Sequence, residues 1–121
     1  MKLSGLITTA ALFSVAFQAM AQTDKPAAPD WITTTNQPCK VWNPEPQPNE
    51  SVTWSGECKD GFASGRGTLS WTENGKPDVV YQGDYANGKR NGHGVMITPD
   101  GNHIEGEWVN DRLLTGERNA I

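Results

Sequence analysis

The chain has 121 residues, enough for one domain, and a formal net charge of −4 at pH 7. Without its first 21 residues, which contain Lys2 and no acidic residue, nine lysines and arginines oppose fourteen aspartates and glutamates, a net charge of −5. Nucleic acids and anionic lipid surfaces attract basic proteins. The acidic balance therefore excludes nucleic acid from the expected partners and weakens the case for a lipid surface.

Residues 1–21 have the pattern of a secretory signal peptide. Lys2 supplies the positive start, the segment 6–17 is mostly apolar, and Ala19-Met20-Ala21 is a small-residue cleavage site. An N-terminal membrane anchor is the alternative, but the apolar run is too short to span a bilayer and the polar Gln22 follows it. We expect cleavage after Ala21 and a periplasmic or secreted product without a further membrane span.

Residues 22–51 are predicted to form an extended N-terminal arm and cap. Prolines alternate over 44–48, and proline holds the backbone extended and donates no hydrogen bond to a strand ladder. This pattern is typical of a linker. The alternative, which we favour, is that residues 31–50 cover the first of the repeats that follow, with Trp31 and Trp42 on its apolar edge, because a terminal repeat has one uncovered face.

The two cysteines, Cys39 and Cys58, both lie in the part predicted to be exported. A cysteine pair in an oxidising compartment favours a disulfide, and closing a loop of this length stabilises a fold by roughly 3 kcal/mol in the chain-entropy model. The pair lacks the C-x-x-C spacing of a redox motif. A zinc site that also used His93 and His103 would need ligands from separate repeats, so no metal or cofactor is expected.

Residues 52–121 contain a repeat, marked by glycines that follow one another at steps of five, four and two residues. A third copy starts at Gly106 and then loses the pattern, since Asp111 stands where its second glycine is expected. The repeat glycines, to which we assign a structural role, are Gly56, Gly61, Gly65, Gly67, Gly83, Gly88, Gly92, Gly94 and Gly106.

Each repeat is predicted to be a β-hairpin, because large residues alternate with glycine on one face of its first strand and polar residues occupy the other. Four additional residues within 72–80 are expected to lengthen one turn. The turn signals are Asp60-Gly61, Asn74-Gly75, Asn87-Gly88, Asn91-Gly92 and Asp100-Gly101. No stretch has a sustained helical period. The expected fold is therefore all-β and antiparallel.

The alternation places four aromatic side chains on one face, and these form the candidate binding or stacking face: Trp54, Tyr81, Tyr85 and Trp108. We favour mutual stacking of these rings as a thin core. If part of the row stayed open, it would form a groove suited to a sugar chain or an extended peptide.

The pattern Tyr81-x-Gly83-x-Tyr85-x-x-Gly88-x-x-x-Gly92-x-Gly94, with copies at 54–67 and 104–108, resembles the MORN repeat. The resemblance implies an elongated meander of β-hairpins and a non-catalytic module for contacts with proteins or membrane lipids. The exported form with two cysteines is similar to small bacterial periplasmic members. In two places the chain departs from the pattern. Cys58 replaces the inner aromatic residue of the first repeat, and a disulfide to the N-terminal cap would require this replacement. The loss of the glycine pattern after Gly106 predicts a C-terminal cap over 109–121.

Several features could support chemistry. Gly65-Arg66-Gly67 and Gly92-His93-Gly94 have the glycines of a phosphate loop, but strands and not a helix are expected to follow them, so we favour a role in turn geometry. His93 is expected in a loop or at a strand start. His103, Glu105 and Glu107 share a strand face and could gather a cation, although ordinary solvation explains them. A row of carboxylates at Glu57, Asp84 and Glu107 would suit a glycosidase, but repetition argues against it, because catalysis needs two different environments.

The sequence therefore predicts a non-catalytic scaffold or binding module for a protein partner in the cell envelope. Peripheral lipid binding is the alternative, suggested by the family and by Lys89-Arg90 in a turn. An envelope-glycan binding protein or hydrolase ranks third. The oligomeric state and the partner's identity stay open.

Overall fold

The computed structural model describes residues 27–120, with side chains for residues 27–117, so the predicted signal peptide and the start of the arm lie outside the described residues. Within this range the chain forms nine strands and no helix. The strands are β1 (Asp30–Thr33), β2 (Lys40–Asn43), β3 (Glu50–Trp54), β4 (Glu57–Lys59), β5 (Phe62–Glu73), β6 (Lys76–Ala86), β7 (Lys89–Ile97), β8 (Asn102–Val109) and β9 (Arg112–Ala120). The all-β prediction is confirmed. Because this range contains no helix, it also contains no helical membrane span.

Strands β5 to β9 form a meander in which each strand pairs antiparallel with the next in the chain. β3 and β4 both pair with β5, so that Trp54 lies opposite Leu69 and Cys58 lies opposite Ala63. β2 joins β5 through one parallel pair, and β1 lies outside β2. The predicted antiparallel meander of hairpins is thus confirmed.

Two-residue turns with both central residues at positive φ close four of the hairpins: Asp60-Gly61, Asn74-Gly75, Asn87-Gly88 and Asn110-Asp111. Positive φ at both central residues is the property of the type I′ turn, whose twist matches that of the two strands of an antiparallel hairpin. The prediction of a turn at Asn91-Gly92 is wrong. β7 continues through this dipeptide, and residues 91–93 form a bulge opposite Asp84, with Gly92 at a φ of 112°. His93 is accordingly in the middle of a strand, where we expected a loop or a strand start.

The prediction that residues 72–80 lengthen a turn is also wrong. The turn has only two residues, and the insertion extends β5 to 12 residues and β6 to 11. The additional residues of β5 have a partner strand, since Ser51 pairs with Thr72 and Glu50 pairs with Glu73. Ladder hydrogen bonds to β3 and β6 explain why the insertion continues the sheet.

The glycines of the two strands in each hairpin face one another, and a ring lies over them. Gly83 pairs with Gly94, and a methyl group built on Gly83 would stand 2.5 Å from the Cα of Gly94 and 2.8 Å from the Tyr81 hydroxyl oxygen. The Trp54 ring covers Gly56 and Gly67 in the same way. The ring therefore belongs to the residue two positions before the first glycine, and side chains larger than hydrogen would displace it.

The N-terminal segment closes the free edge of β3. The Thr35 amide donates to the Val52 carbonyl at 2.8 Å, and the Asn36 side chain both accepts from the Trp54 amide and donates to its carbonyl, at 3.1 and 2.7 Å. The Asn36 amide group thus takes the place of a neighbouring strand. Cys39 forms the predicted disulfide with Cys58, their Cα atoms 5.7 Å apart. The disulfide-tied cap is confirmed.

Trp31 and Trp42 lie elsewhere in this cap than we expected. The two rings are 5.0 Å apart, and Trp31 is 5.2 Å from Phe62, beside Gly88 at the tips of the hairpins. The β3 edge is covered instead by the polar segment 34–37, because an edge presents backbone donors and acceptors that tryptophan rings cannot satisfy.

The prediction of a C-terminal cap is wrong as well. The chain continues as β9, which extends the sheet, and Gly106 pairs with Gly116 as Gly83 pairs with Gly94. Between the equivalent paired positions, β9 has two residues opposite Glu107, whereas β7 has three residues opposite Asp84. This shorter bulge moves Gly116 out of the expected spacing. The third repeat is therefore a hairpin too.

Candidate functional site: a groove beside the aromatic row

The four predicted aromatic residues form a closed row. Trp54, Tyr81, Tyr85 and Trp108 are each at most 4% exposed. The ring centroids of neighbours in the row lie 4.9 Å apart for Trp54 and Tyr85, 5.6 Å for Tyr85 and Tyr81, and 5.6 Å for Tyr81 and Trp108. Burial raises the pKa of Tyr81 to about 12 and that of Tyr85 further, so both hydroxyl groups stay neutral. These four side chains therefore form part of the hydrophobic core.

A groove lies beside this row, between the N-terminal cap and the sheet, and encloses about 260 Å³. We call it the cap groove. One wall comes from the end of β2, the loop after it and the start of β3, and the other comes from the first and second repeats. Its lining residues are Trp42, Asn43, Pro44, Glu45, Glu50, Leu69, Trp71, Asp78, Val79, Tyr81, Tyr85, Arg90 and Met96.

The groove has an aromatic and apolar interior. Leu69 and Tyr81 are buried at its base, whereas Trp42, Trp71 and Met96 are only half-buried and keep part of their surface in contact with solvent. Trp71 belongs to the extended part of β5, so the insertion between the first two repeats contributes directly to the groove. These half-buried rings are the aromatic surface that a ligand can reach.

Carboxylates mark the cap side and the rim of the groove. Glu50 Oε1 accepts hydrogen bonds from Asn43 Nδ2 at 2.7 Å and from the Gln47 amide at 2.9 Å, which fixes the loop that forms one wall. Glu45 is exposed and Asp78 is partly exposed. Among residues 27–117, neither of these two carboxylates takes part in an ion pair. The opening therefore presents negative charge to a ligand.

The single cation of the lining, Arg90, is already neutralised. Its Nε and Nη2 atoms donate to the two carboxylate oxygens of Asp111, both at 2.8 Å, and its guanidinium carbon lies 4.2 Å from the Trp108 ring centroid. Burial lowers the pKa of Arg90, but the hydrogen bond and charge of Asp111 outweigh burial and raise it overall. Asp111 sits at a φ of 71°, in the position that glycine takes in the other repeats, so the ion pair accounts for this departure from the repeat.

On the opposite face of the sheet, two of the three carboxylates of the predicted row, Asp84 and Glu107, take part in ion pairs. Asp84 lies 3.3 Å from Arg66, and Glu107 lies 2.9 Å from His93. In each case the partner stands between the two close glycines of the preceding repeat, which gives both glycine motifs and the carboxylates a structural explanation. Asp84 and Glu107 are thus each engaged by a basic side chain of the preceding repeat.

Two of the three residues considered for a cation, and the lysine and arginine considered for lipid, are also engaged. Glu105 and Glu107 both hold the ring of His93, at 3.0 and 2.9 Å, and the hydrogen bond to Glu107, with a smaller contribution from Glu105, raises the pKa of His93. The cysteines of the rejected zinc set are consumed by the disulfide. Lys89, which begins β7 and is not in a turn as expected, has its Nζ 4.9 Å from the Trp42 ring centroid. Lys89 and Arg90 do not form a free basic patch.

A comparison with known protein families matches the MORN repeat at residues 54–77 and at residues 81–103. The protein contains MORN repeats. MORN repeats are generally modules that bind proteins or membrane lipids, and they are typically non-catalytic. The two matched segments cover most of the first hairpin and the second, and the glycine pair of β8 and β9 continues the MORN geometry into a third.

The sequence pattern found the residues of the MORN repeats, of which Tyr81 and Tyr85 line the groove, and missed other residues of its lining. Glu45, Glu50, Trp71 and Asp78 belong to no repeat position shared by the copies, so self-similarity does not identify them. Two signals were present, the proline segment 44–48 and the insertion within 72–80, but each had a simpler interpretation as a linker or a turn. Their proximity depends on the cap folding back on the sheet.

Proposed function

We propose that this MORN repeat protein is exported and acts as a non-catalytic scaffold that binds a protein partner in the cell envelope through the cap groove. One observation supports this choice above the others. The aromatic residues common to the repeats are buried against one another, whereas Trp42 and Trp71 reach solvent beside carboxylates without an ion pair. Half-buried aromatic residues that are rimmed by polar groups are characteristic of protein contact sites.

Membrane lipid is the other ligand that MORN repeats generally bind, and the charge distribution argues against it here. Anionic headgroups need basic residues near the surface, yet Arg90 is buried against Asp111 and Lys89 lies over tryptophan rings. The groove opening adds acidic groups that would repel phosphate. We therefore rank the protein partner first and use lipid as an outcome of the test.

Site-specific photo-crosslinking in intact cells tests the proposal. Val79 lines the groove, and Thr68 lies on the opposite face of the sheet, so p-benzoylphenylalanine is introduced at position 79 or, as the matched control, at position 68. We expect an adduct with an envelope protein from position 79 and none from position 68. Equal adducts from both positions, or adducts with lipid alone, would contradict the proposal.

Export has its own measurement. Fractionation of cells that express the full chain should place the protein in the periplasm or medium, and the intact mass should correspond to a chain that begins at Gln22. A cytoplasmic protein that retains residues 1–21 would overturn this part of the proposal while leaving the groove hypothesis testable in vitro.

A further inference from the structure

The size of the cap groove limits its occupant. Sites for whole small-molecule ligands usually enclose about 300–1,000 Å³, and the groove encloses about 260 Å³. This space suits one or two side chains that enter from a larger molecule. A protein segment that lies across the opening and inserts a side chain satisfies both the volume and the open mouth between the cap and the sheet.

The chemistry of the lining selects the charge of that side chain. The electron-rich faces of tryptophan and tyrosine attract cations, with an interaction worth roughly 0.5–2 kcal/mol that increases as water is excluded. The groove offers the half-buried rings of Trp42 and Trp71, and it adds the carboxylates Glu45 and Asp78 at its opening. The cation of the lining is held by Asp111, which leaves these acidic groups without a counter-charge.

A second charge feature lies at the same end of the groove. Glu50, which lines the groove, is directly opposite Glu73 on the neighbouring strand. Like charges in directly opposed positions destabilise a sheet. Lys76, directly opposite Glu73 on β6, already supplies one positive charge there, and a cation bound beside Glu50 would reduce the repulsion further. Trp42, on the cap wall of the groove, already contacts a cation of this chain, because the ammonium group of Lys89 lies over its ring.

We propose that the cap groove binds a lysine or arginine side chain presented by an extended segment of the partner protein. The identity of the partner as a protein rests on the proposed function, whereas the preference for a cationic side chain follows from the groove itself. Arginine fits best, because its flat guanidinium stacks on aromatic rings and its donors match carboxylates. A glutamate side chain is excluded by the same charges.

The first test uses four N-acetylated, C-amidated tripeptides of sequence Ala-X-Ala, in which X is arginine, lysine, glutamine or glutamate. Binding is followed through the indole N–H signals of the five tryptophans in the full exported protein. We expect saturable shifts of the Trp42 and Trp71 signals with arginine and lysine, at least about tenfold weaker binding of the glutamine peptide, and no binding of the glutamate peptide. The Trp54 signal should not move, because that ring is buried.

A charge-matched pair of double variants tests the role of the rim. Glu45→Gln with Asp78→Asn removes both rim carboxylates, and Glu57→Gln with Glu117→Gln removes two exposed carboxylates that do not line the groove. Both changes add two units to the net charge. Only the first should weaken arginine-peptide binding by about tenfold, since non-specific attraction to an acidic protein would respond equally to both.

The outcomes separate this inference from the proposed function. Equal binding of the glutamine and arginine peptides, or equal loss in both double variants, would overturn the cationic preference even if position 79 crosslinks to an envelope protein. Peptide binding as expected, without any protein crosslink from position 79, would support the groove chemistry and contradict the protein partner. Shifts of the groove tryptophans by vesicles of phosphatidylglycerol, without a response to the peptides, would overturn both in favour of lipid.

Discussion

The two ends of the repeat array are held in different ways. At the N-terminal end, the first repeat is joined to the cap by the Cys39–Cys58 disulfide and by hydrogen bonds from residues 34–37 to the edge of β3. At the C-terminal end, the third repeat is joined to the second by the β7–β8 ladder and by two sets of ionic contacts, Arg90 with Asp111 and His93 with Glu105 and Glu107. Backbone hydrogen bonds act at both ends, and they are supplemented by a covalent bond at the N-terminal end and by ionic contacts at the C-terminal end.

Equivalent positions of the repeats show how this difference arises. Cys58, Tyr85 and Trp108 occupy one position, and their cross-strand partners Ala63, Arg90 and Leu113 occupy another. In the first repeat the pair is small and leaves room for the disulfide. In the second repeat the long side chain of Arg90 reaches the ring of Trp108, and in the third Leu113 is 42% exposed. The role of a repeat position thus depends on the neighbouring segment that packs against it.

The two ends also differ in whether the backbone groups at the sheet edge have hydrogen-bond partners. Residues 34–37 satisfy the edge of β3, whereas among the described residues no strand pairs with the outer side of β9. Leu114, in the bulge of that strand, is 67% exposed. Open edges are sites where strands of other chains can add, and the cap removes this risk at one end only.

The largest effect is expected from breaking the ionic connection at the C-terminal end. Arg90→Leu leaves the Asp111 carboxylate buried without its partner, and removing one member of a buried ion pair costs about 3–5 kcal/mol. Both side chains are well buried, at 13% and 6% exposure, so solvent screening does little to reduce the cost. We expect this loss in the free energy of unfolding, measured with urea and followed by tryptophan fluorescence.

The double variant Arg90→Leu with Asp111→Gly is the control. It removes the stranded charge and restores the glycine that the other repeats have at this positive-φ position. We expect it to regain most of the stability lost in the single variant. A double variant as unstable as Arg90→Leu alone would mean that the arginine acts through packing on Trp108 and not through the ion pair.

The second prediction concerns the covalent end. Cys58→Ala should lower the free energy of unfolding by roughly 3 kcal/mol, the value for a closed loop of 19 residues, and the melting temperature by several degrees. Hydrogen exchange should accelerate at the Thr35 and Trp54 amides, which donate hydrogen bonds across the covered edge, before it accelerates in β8.

A reducing agent should reproduce the change in the wild-type protein and have no further effect on Cys58→Ala. If neither reduction nor substitution shifted the melting temperature, the cap would be held by its hydrogen bonds alone. If β8 exchanged as fast as β3 in the variant, the two ends would not be independent, and the comparison on which this prediction rests would fail.

The sequence predicted the parts of this structure that are written in local and repeated signals. The alternation around Gly56 and Gly83 gave the strands and the buried face, the dipeptides at 60, 74 and 87 gave the turns, and the cysteine count gave the disulfide. These positions require glycine because an aromatic ring packs on the backbone. The requirement recurs at a fixed spacing, so it can be recognised as a repeat in the sequence.

The features that the sequence did not reveal depend on distant contacts. Asp111 is a mismatch in the repeat until Arg90, 21 residues earlier, is seen to bind it. The insertion within 72–80 forms strand because β3 pairs with the end of β5. The groove forms because the cap folds over the sheet. No periodicity records such pairings, because each occurs once in the chain.

The smallest predicted effect lies on the exposed face, where His93 joins the second repeat to the third. The hydrogen bond to Glu107, with a smaller contribution from that to Glu105, raises the pKa of His93 above its ordinary value near 6.5. Because the folded-state pKa is the higher one, the contribution to stability is fully present below about pH 6.5 and is lost as the pH rises through the folded-state pKa.

Glu107→Gln should therefore lower the pKa of His93 in an NMR titration and reduce stability near pH 6 but not at pH 9. Glu57→Gln, at the equivalent position of the first repeat, should leave the titration of His93 unchanged. If both variants moved the pKa equally, general screening of an acidic protein would explain the shift, and the ionic link at the C-terminal end would rest on Arg90 alone.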